Sequence, residues 1–523
     1  MYNVGRSFFM IRRMNMDAIT IRLHENDNVV TAKSEIDINI KIEDEFLSTN
    51  QHIPVGHKIA TQDIKKGEDI IKYDNIIGTA IKEIKKGDYV HVHNIGMSDK
   101  KRDYEFSLGC KETIIIAEDK QAKFMGFRRK NGKVGTRNFV GIISSVNCSA
   151  TVCKKIADAF DEEYMSQYPN VDGVASITHS LGCGGNSSGM GWDLLQATMD
   201  GYSKHVNFGA LLVIGLGCEV NQVSGMAQSM NWADSDTFKM MTIQETGGTR
   251  KTIQEGIEAI KHMIPILNKD QRVECPASEL ILGLECGGSD AYSGMTANPA
   301  LGAAVDLLVQ NGGTATLAET PEIFGAEHLL TRRAINKKIG QKIVNFIKWW
   351  QEDYLAKHQP ERLHQDPSPG NKAGGLTTIL EKSLGAVAKG GTTNLVDVYQ
   401  YAETIKAKGF TFMNTPGYDP LSVTGMIAGG ANMICFTTGR GSVFGSKPAP
   451  SIKIATNSDL YERMTEDMDI NCGKILSGES SIEDMGQEIF LYILDIASGK
   501  QSKSEINGIG DLEFIPWQMG AFN

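Results

Sequence analysis

From Phe124 onward the chain repeats one pattern: a uniformly apolar, β-prone run, a turn rich in Gly, Ser and Cys, then an amphipathic stretch. FVGIISSVNC leads into SATVCKKIADAF, VDGVASITHSLGCGG into MGWDLLQATMDGYSKH, and ELILGLECGGSD into PALGAAVDLLVQNG. ALLVIGLGCE, TATLAETPE and MICFTTGRGS continue the series. Strands that are apolar on both faces must be covered on both faces, and a parallel sheet wrapped by helices does this. The fold class expected is α/β, with two Rossmann-like parallel-sheet subdomains over 124–270 and 271–523. The likeness of IGLGCE to LGLECG hints that the two halves are related.

The first part of the chain reads differently. Residues 16–97 carry short Ile/Val-rich runs (AITIRLH, INIKI, HKIAT, DIIKY, YVHVHN) separated by turn signals, the pattern of a small all-β domain. Two near-copies, DIKKGEDIIKYDN and EIKKGDYVHVHN, read as repeated hairpin units. Residues 1–15 are expected to be a disordered extension, and 98–123 a polar linker with one short strand at 113–117.

Charge and thiol content restrict partners. Lys+Arg of 53 against Asp+Glu of 63 gives a net charge of -10, which disfavours nucleic acid. No run approaches the ~18 apolar residues of a membrane helix, so no membrane partner is expected. Nine cysteines, an odd number spread thinly, suit a reducing, cytoplasmic setting rather than a disulfide framework. The partner expected is a small-molecule ligand, with a second copy of the chain in a homodimer. The tryptophans of KWWQEDYLAKH are expected to face a neighbour or subunit.

Open parallel sheets bind ligands beyond the carboxyl ends of their strands, and reactive residues crowd those positions here. Asn147 and Cys148 follow the first apolar run; His179 and Cys183 follow the second; Cys218 and Glu219 follow ALLVIGLG. Glu285, Cys286, Ser289 and Asp290 follow LILGL, Glu319 follows TATLA, and Thr437, Thr438 and Arg440 follow MICF. A single cysteine is most simply a small buried hydrophobe. Four of them beside His179, Glu219 and Glu285 form a donor set for iron, manganese or zinc, or for an iron–sulfur cluster. In the β domain His24 lies at a strand end, and His57, with His91 and His93 on one strand face, forms a secondary candidate for metal or substrate. The Gly-rich loops match neither a Walker A nor a GxGxxG pattern; their Ser, Asn and Asp content suits a polyhydroxylated ligand. Asn298, Lys372 and Arg440 add donors for hydroxyls and a carboxylate.

With these residues in view the sequence resembles the altronate/galactarate dehydratase family over nearly its whole length. The stretches that carry the resemblance include HENDNV, GHKIATQDIKKGEDIIKYDNIIG, VHVHN, HSLGCG, VIGLGCEVNQ, GLECGGSDAYSGMTANPALG, PSPGNKAGGLTTILEKSLG and FTTGRGSVFG. The resemblance implies an N-terminal SAF-type β-clip domain and a two-part α/β catalytic region. It also implies Fe(II)-dependent dehydration, with Mn(II) as a substitute, of a hexonate or hexarate to a 2-keto-3-deoxy acid. VHVHN and GAEHLL resemble the altronate branch, while HSLGCGGNSS and VNCSATVCKK depart from it, leaving galactarate, a related aldonate or a sulfonate as alternatives.

The mechanism expected from these residues is β-elimination of water from an aldonate such as D-altronate. Cys148, Cys183, Cys218, Cys286 and His179 are the metal candidates. His179 is alternatively the general base, with Glu219 or Glu285 as proton donor. Arg440 and Lys372 anchor the carboxylate; Asp290, Ser289, Asn298 and Thr438 read hydroxyls; the β domain closes the site with His24. The rivals are an aconitase-like cluster enzyme and a sugar-acid sensor without catalysis.

Overall fold

In the computed structural model, which describes residues 18–98, 104–184, 186–230, 233–355 and 367–518, the apolar runs form two parallel sheets. The extension expected at 1–15 lies outside the described residues. The smaller sheet has the order Gly173–Ile177, Phe139–Ser144, Phe208–Gly215, Phe238–Thr242, and all of its neighbours run parallel. Helices Asn147–Ala157 and Thr249–Leu267 cover one face through Val152, Ile156, Ile260 and Ile264. On the other face, helix Met190–Ser203 packs with helix Asp419–Ala428, which belongs to the larger sheet, in one shared core.

The larger sheet has seven parallel strands, ordered Leu395–Tyr399, Gly409–Met413, Thr314–Leu317, Ile281–Cys286, Met433–Thr438, Ser451–Ala455, Ile470–Asn471. The chain starts at Ile281–Cys286, adds Thr314–Leu317, then Leu395–Tyr399 at the edge and Gly409–Met413 between those two, and then returns to add Met433–Thr438 on the other side. The crevice between those two strands is therefore a topological switch point, where open α/β sheets bind ligands. Every residue of Met433–Thr438 is buried, as its continuous apolar run requires.

Residues 18–98 form short antiparallel sheets. The two KKG repeats make the same turn: Gly67 and Gly87 have φ of 90° and 88°, and Ile64 pairs with Ile84, so the copies lie side by side. Val29, Ala60, Ile70 and Ile84 of this domain share one continuous core with Leu284, Leu301 and Phe412 of the catalytic region. The β domain is thus packed into the enzyme rather than tethered to it.

Two local expectations are corrected. Residues 113–117 form no strand: Ile116 N–H bonds the helix-end carbonyl of Gln310 at 2.7 Å and Ile114 is 81% exposed, so no strand edge lies alongside. The tryptophan stretch turns inward. It is a π-helix, Trp349–Leu355, with Trp350 stacked on Trp517 at 5.4 Å and donating from Nε1 to Asn414 Oδ1 at 2.8 Å. Among the described residues no helix is long and apolar enough to cross a membrane.

Candidate active site

At the carboxyl end of Ile281–Cys286 the structure gathers Glu285 and Cys286 with residues from three other segments. Glu319 follows Thr314–Leu317, with φ of 63°, and Glu322 lies one turn beyond it. Asp419 opens the helix Asp419–Ala428, and Lys382 and Lys389 come from the helix Ile379–Val387 and the turn after it. Carboxylate oxygens of Glu285, Glu319 and Asp419 lie within 4.8 Å of one another, and so do ligand atoms of Cys286, Glu319 and Glu322. Lys389 Nζ is 3.5 Å from Glu319 Oε2, Lys382 pairs with Glu322, and Ser422 Oγ donates to Glu285 Oε2 at 2.7 Å.

Four carboxylates here face two ammonium groups, inside a buried pocket. Burial, then the neighbouring Glu319, pushes the Glu285 pKa well up; burial, then Glu322, raises that of Glu319. Asp419, on the more open side, is pushed up to about 7 by burial and by Glu319 and Glu322. Burial pushes the Cys286 thiol up to about 12. Oε1 of Glu285 and Oε1 of Glu319 are buried without a hydrogen-bond partner among the described residues. Unsatisfied buried carboxylate oxygens and surplus negative charge are what a divalent cation relieves, and oxygen donors with one sulfur suit Fe(II) or Mn(II). The residues present therefore fit such an ion.

Gly287 and Gly288 carry the chain from this cluster to a second group of loops, where several expected substrate contacts hydrogen-bond within the fold. Asp290 is buried and accepts from Ser293 N and Oγ, Thr456 Oγ1 and Asn457 Nδ2, at 2.9–3.1 Å. Asn298 donates to the Gly385 carbonyl at 2.9 Å and accepts from Thr437 Oγ1 at 2.7 Å. Thr438 Oγ1 accepts from Gly441 N, and the Ser289 carbonyl from Asn371 Nδ2. Through these bonds Asp290 and Asn298 hold the loops together. Arg440 is exposed, and its stem passes Gly374, two residues along the chain from Lys372.

The histidines of the β domain dock on the loop that carries Lys372 and Ala373. Tyr89 O–H bonds His57 Nδ1 at 2.6 Å, leaving His57 Nε2–H for the Ala373 carbonyl at 3.3 Å, and His91 Nε2–H donates to the Lys372 carbonyl at 2.9 Å. The His57 and His91 rings stack at 4.8 Å, and burial lowers the His57 pKa to about 4. Both rings thus bond a loop of the catalytic region, and His93, the third of these metal or substrate candidates, packs against Tyr89. His24 Nδ1 accepts from Asn26 N and lies 3.5 Å from Asp74 in its own turn.

On the smaller sheet, Glu219 accepts from Ser145 Oγ at 2.7 Å, Leu216 N at 3.0 Å and Gly217 N at 2.6 Å. Burial alone would raise its pKa, but these donors outweigh it and hold the carboxyl below its ordinary value. It staples two loops, and these donors favour its ionised form. His179 accepts from Leu181 N at its Nδ1 (3.2 Å), and burial lowers its pKa to about 4. In that tautomer Nε2 carries the proton, so His179 offers a donor rather than a base or ligand lone pair. Cys148, Cys183 and Cys218 are exposed on these loops, and they do not join Cys286 in any three-ligand group within 4.8 Å among the described residues.

Comparison with known proteins decides the family. Residues 18–98 match the altronate/galactarate dehydratase SAF domain, 126–268 the D-galactarate dehydratase/altronate hydrolase second domain, and 277–522 the D-galactarate/altronate dehydratase C-terminal domain. The chain is 35% identical to altronate dehydratase of Escherichia coli over 94% of its length and 98% of that protein's. The chain belongs to the altronate/galactarate dehydratase family. It is equally 35% identical to the E. coli galactarate dehydratase (L-threo-forming), over 94% of this chain and 95% of that one. At 30% it also matches the (2R)-sulfolactate sulfo-lyase β subunit of Chromohalobacter salexigens, over 76% of this chain and 98% of the subunit. Like others of its family it is a hydro-lyase, and its SAF domain is the packed β domain described above. Sequence reasoning on this dehydratase reached Glu285, Cys286 and Glu319 through their strand ends. It missed Glu322, Asp419, Lys382 and Lys389, which lie on helices and turns, where charged residues are ordinarily solvated.

Proposed function

We propose that this dehydratase removes water from a hexonate, D-altronate, to give 2-keto-3-deoxy-D-gluconate, acting in the cytoplasm. The reading rests on the buried Glu285–Glu319–Asp419 cluster with its two lysines at the switch point. Glu285 and Glu319, with Glu322 and Cys286, would hold Fe(II) or Mn(II). When bound, such an ion supplies Lewis acidity toward a carboxylate and a hydroxyl.

The protein's own groups do the rest. The proton at C2 is weakly acidic because a carboxylate lies next to it, so charge developing there needs fixed positive partners. Lys382 and Lys389, held in place by Glu322 and Glu319, provide them. Asp419, at the more open side of the cluster, takes the C2 proton and returns one to the departing C3 hydroxyl. Arg440 and Lys372 hold the substrate carboxylate, and the docked SAF domain excludes water. The test is an assay of 2-keto-3-deoxy acid from D-altronate and galactarate by protein stripped of metal, with and without Fe(II). Product from altronate only on restoring Fe(II) supports the reading; product from galactarate alone, or none, overturns the substrate assignment.

A second reading, desulfonation of a sulfonated hydroxy acid, is favoured by the sulfo-lyase likeness. That enzyme's α subunit is 46% identical to 43 residues of this chain, alongside the longer β-subunit match. Sulfite release from (2R)-sulfolactate distinguishes it.

A further inference from the structure

We propose that Cys148, Cys183 and Cys218 hold an iron–sulfur cluster at the carboxyl edge of the four-stranded sheet, apart from the carboxylate cluster of the larger sheet. The first observation is where the exposed thiols lie. Cysteine ordinarily behaves as a small buried hydrophobe, and Cys153, Cys275, Cys286, Cys435 and Cys472 do so here. Of the four exposed thiols, only Cys110 lies elsewhere; Cys148, Cys183 and Cys218 follow three adjacent strands, Phe139–Ser144, Gly173–Ile177 and Phe208–Gly215. Neighbouring strands are ~4.8 Å apart, so the three loops leave the sheet side by side.

The second observation is that those loops are tied together next to each thiol. Asn147 N, one residue before Cys148, donates to Leu181 O at 2.8 Å, and Val220 N, two residues after Cys218, donates to the Cys183 carbonyl at 3.1 Å. Asn221 Nδ2 donates to Ser145 O at 3.1 Å, and Glu219 clamps Ser145 against Leu216 and Gly217. Cys148 is the second residue of the 11-residue helix Asn147–Ala157, whose positive end favours bound negative charge. A Cβ added at Gly182 or Gly184 would meet nothing within 4 Å, so space remains on both sides of Cys183. His179, from the same loop, is buried with the Ser144 backbone beside its ring and no close hydrogen bond at Nε2 among the described residues, a donor that a cluster sulfur can also satisfy.

Three thiols on neighbouring loops suit a cluster better than a single ion. Two thiolates on one zinc-like ion, each at ~2.3 Å, stand at most about 4.6 Å apart. Among the described residues the three sulfurs form no group within 4.8 Å, so they are not drawn together around one ion, whereas a cluster takes thiolates set wider apart. Three thiolates leave one corner of a four-iron cluster without a protein ligand. This proposal does not depend on the sugar-acid reaction assigned above.

The test is the visible absorbance, iron content and acid-labile sulfide of full-length protein purified without air, and again after reconstitution with ferrous iron and sulfide. The expected result is about four irons and four sulfides per chain. It should be lost in Cys148→Ser, Cys183→Ser and Cys218→Ser and kept in Cys110→Ser and Cys286→Ser, with circular dichroism reporting on folding. Wild-type protein that takes up no labile sulfide on reconstitution overturns the proposal. So does a cluster that survives all three substitutions, or one lost only with Cys286.

Discussion

Glu381→Gln should loosen the SAF domain from the catalytic region more than any other single uncharging of that interface. Glu381 is fully buried between two buried lysines: Lys58 Nζ is 2.9 Å from Oε2 and Lys72 Nζ 2.8 Å from Oε1. Thr377 N and Oγ1 add bonds at 3.0 and 2.8 Å. Gln keeps the shape and part of the hydrogen bonding but leaves two ammonium groups facing each other without a counter-charge. Removing one partner of a buried ion pair costs ~3–5 kcal/mol, against ~0–1 for an exposed bridge. The assay is hydrogen exchange at Lys58–Ala60 and Asp69–Lys72, because a multidomain chain lacks a single unfolding free energy. Exchange there should quicken on the order of 10²–10⁴-fold. Lys58→Met leaves a neutral Lys72–Glu381 pair and should cost less. A loss under ~1 kcal/mol in Glu381→Gln, or a larger loss in Lys58→Met, would refute the charge argument. The same triad sets a pH dependence. Burial alone would raise the Glu381 pKa, but Lys58 and Lys72 overcome it and hold it far below the ordinary carboxylate range. A depressed folded pKa means that this stability is fully present above the unfolded value of ~4.3 and drains away as pH falls below it. Lys382, the next residue of the same helix, pairs with Glu322 in the carboxylate cluster, so undocking should lower turnover too.

Two further outcomes separate chemistry from support. Asp419→Asn should lower kcat by roughly 10²–10⁴-fold with KM little changed, measured by steady-state assay of keto-acid formation; near-normal kcat would remove Asp419 from proton transfer. Asn298→Ala strips partners from Thr437 and Gly385 and should cost ~1–3 kcal/mol, read as a lowered thermal midpoint, with unchanged preference among sugar acids. A changed preference would return Asn298 to substrate recognition.

The parallel sheets were legible because buried strands must be apolar on both faces, and MICFTT and FVGIIS can satisfy nothing else. The β domain was legible from its turn signals, repeated at Gly67 and Gly87. The hint of two matching halves did not carry through. IGLGCE ends the third strand of a four-stranded sheet in chain order, and LGLECG the first strand of a seven-stranded one, so the likeness does not mark equivalent positions. Strand-end position alone also could not tell Glu219, whose oxygens bond Ser145, Leu216 and Gly217, from Glu285, whose Oε1 has no hydrogen-bond partner among the described residues.

The sequence by itself determined which segments are strands, that the strands lie in covered parallel sheets, and that reactive side chains occupy their carboxyl ends. Those properties follow from local apolarity and periodicity, which need no knowledge of what lies across the crevice. Only the tertiary structure decided which of those side chains share a pocket. It brought Asp419, Lys382 and Lys389 from distant helices to Glu285 and Glu319, and it set Asp290, Asn298, His57 and His91 to hold loops. A carboxylate becomes reactive or structural according to the donors within ~3 Å of it, and here those donors come from segments far away in the chain.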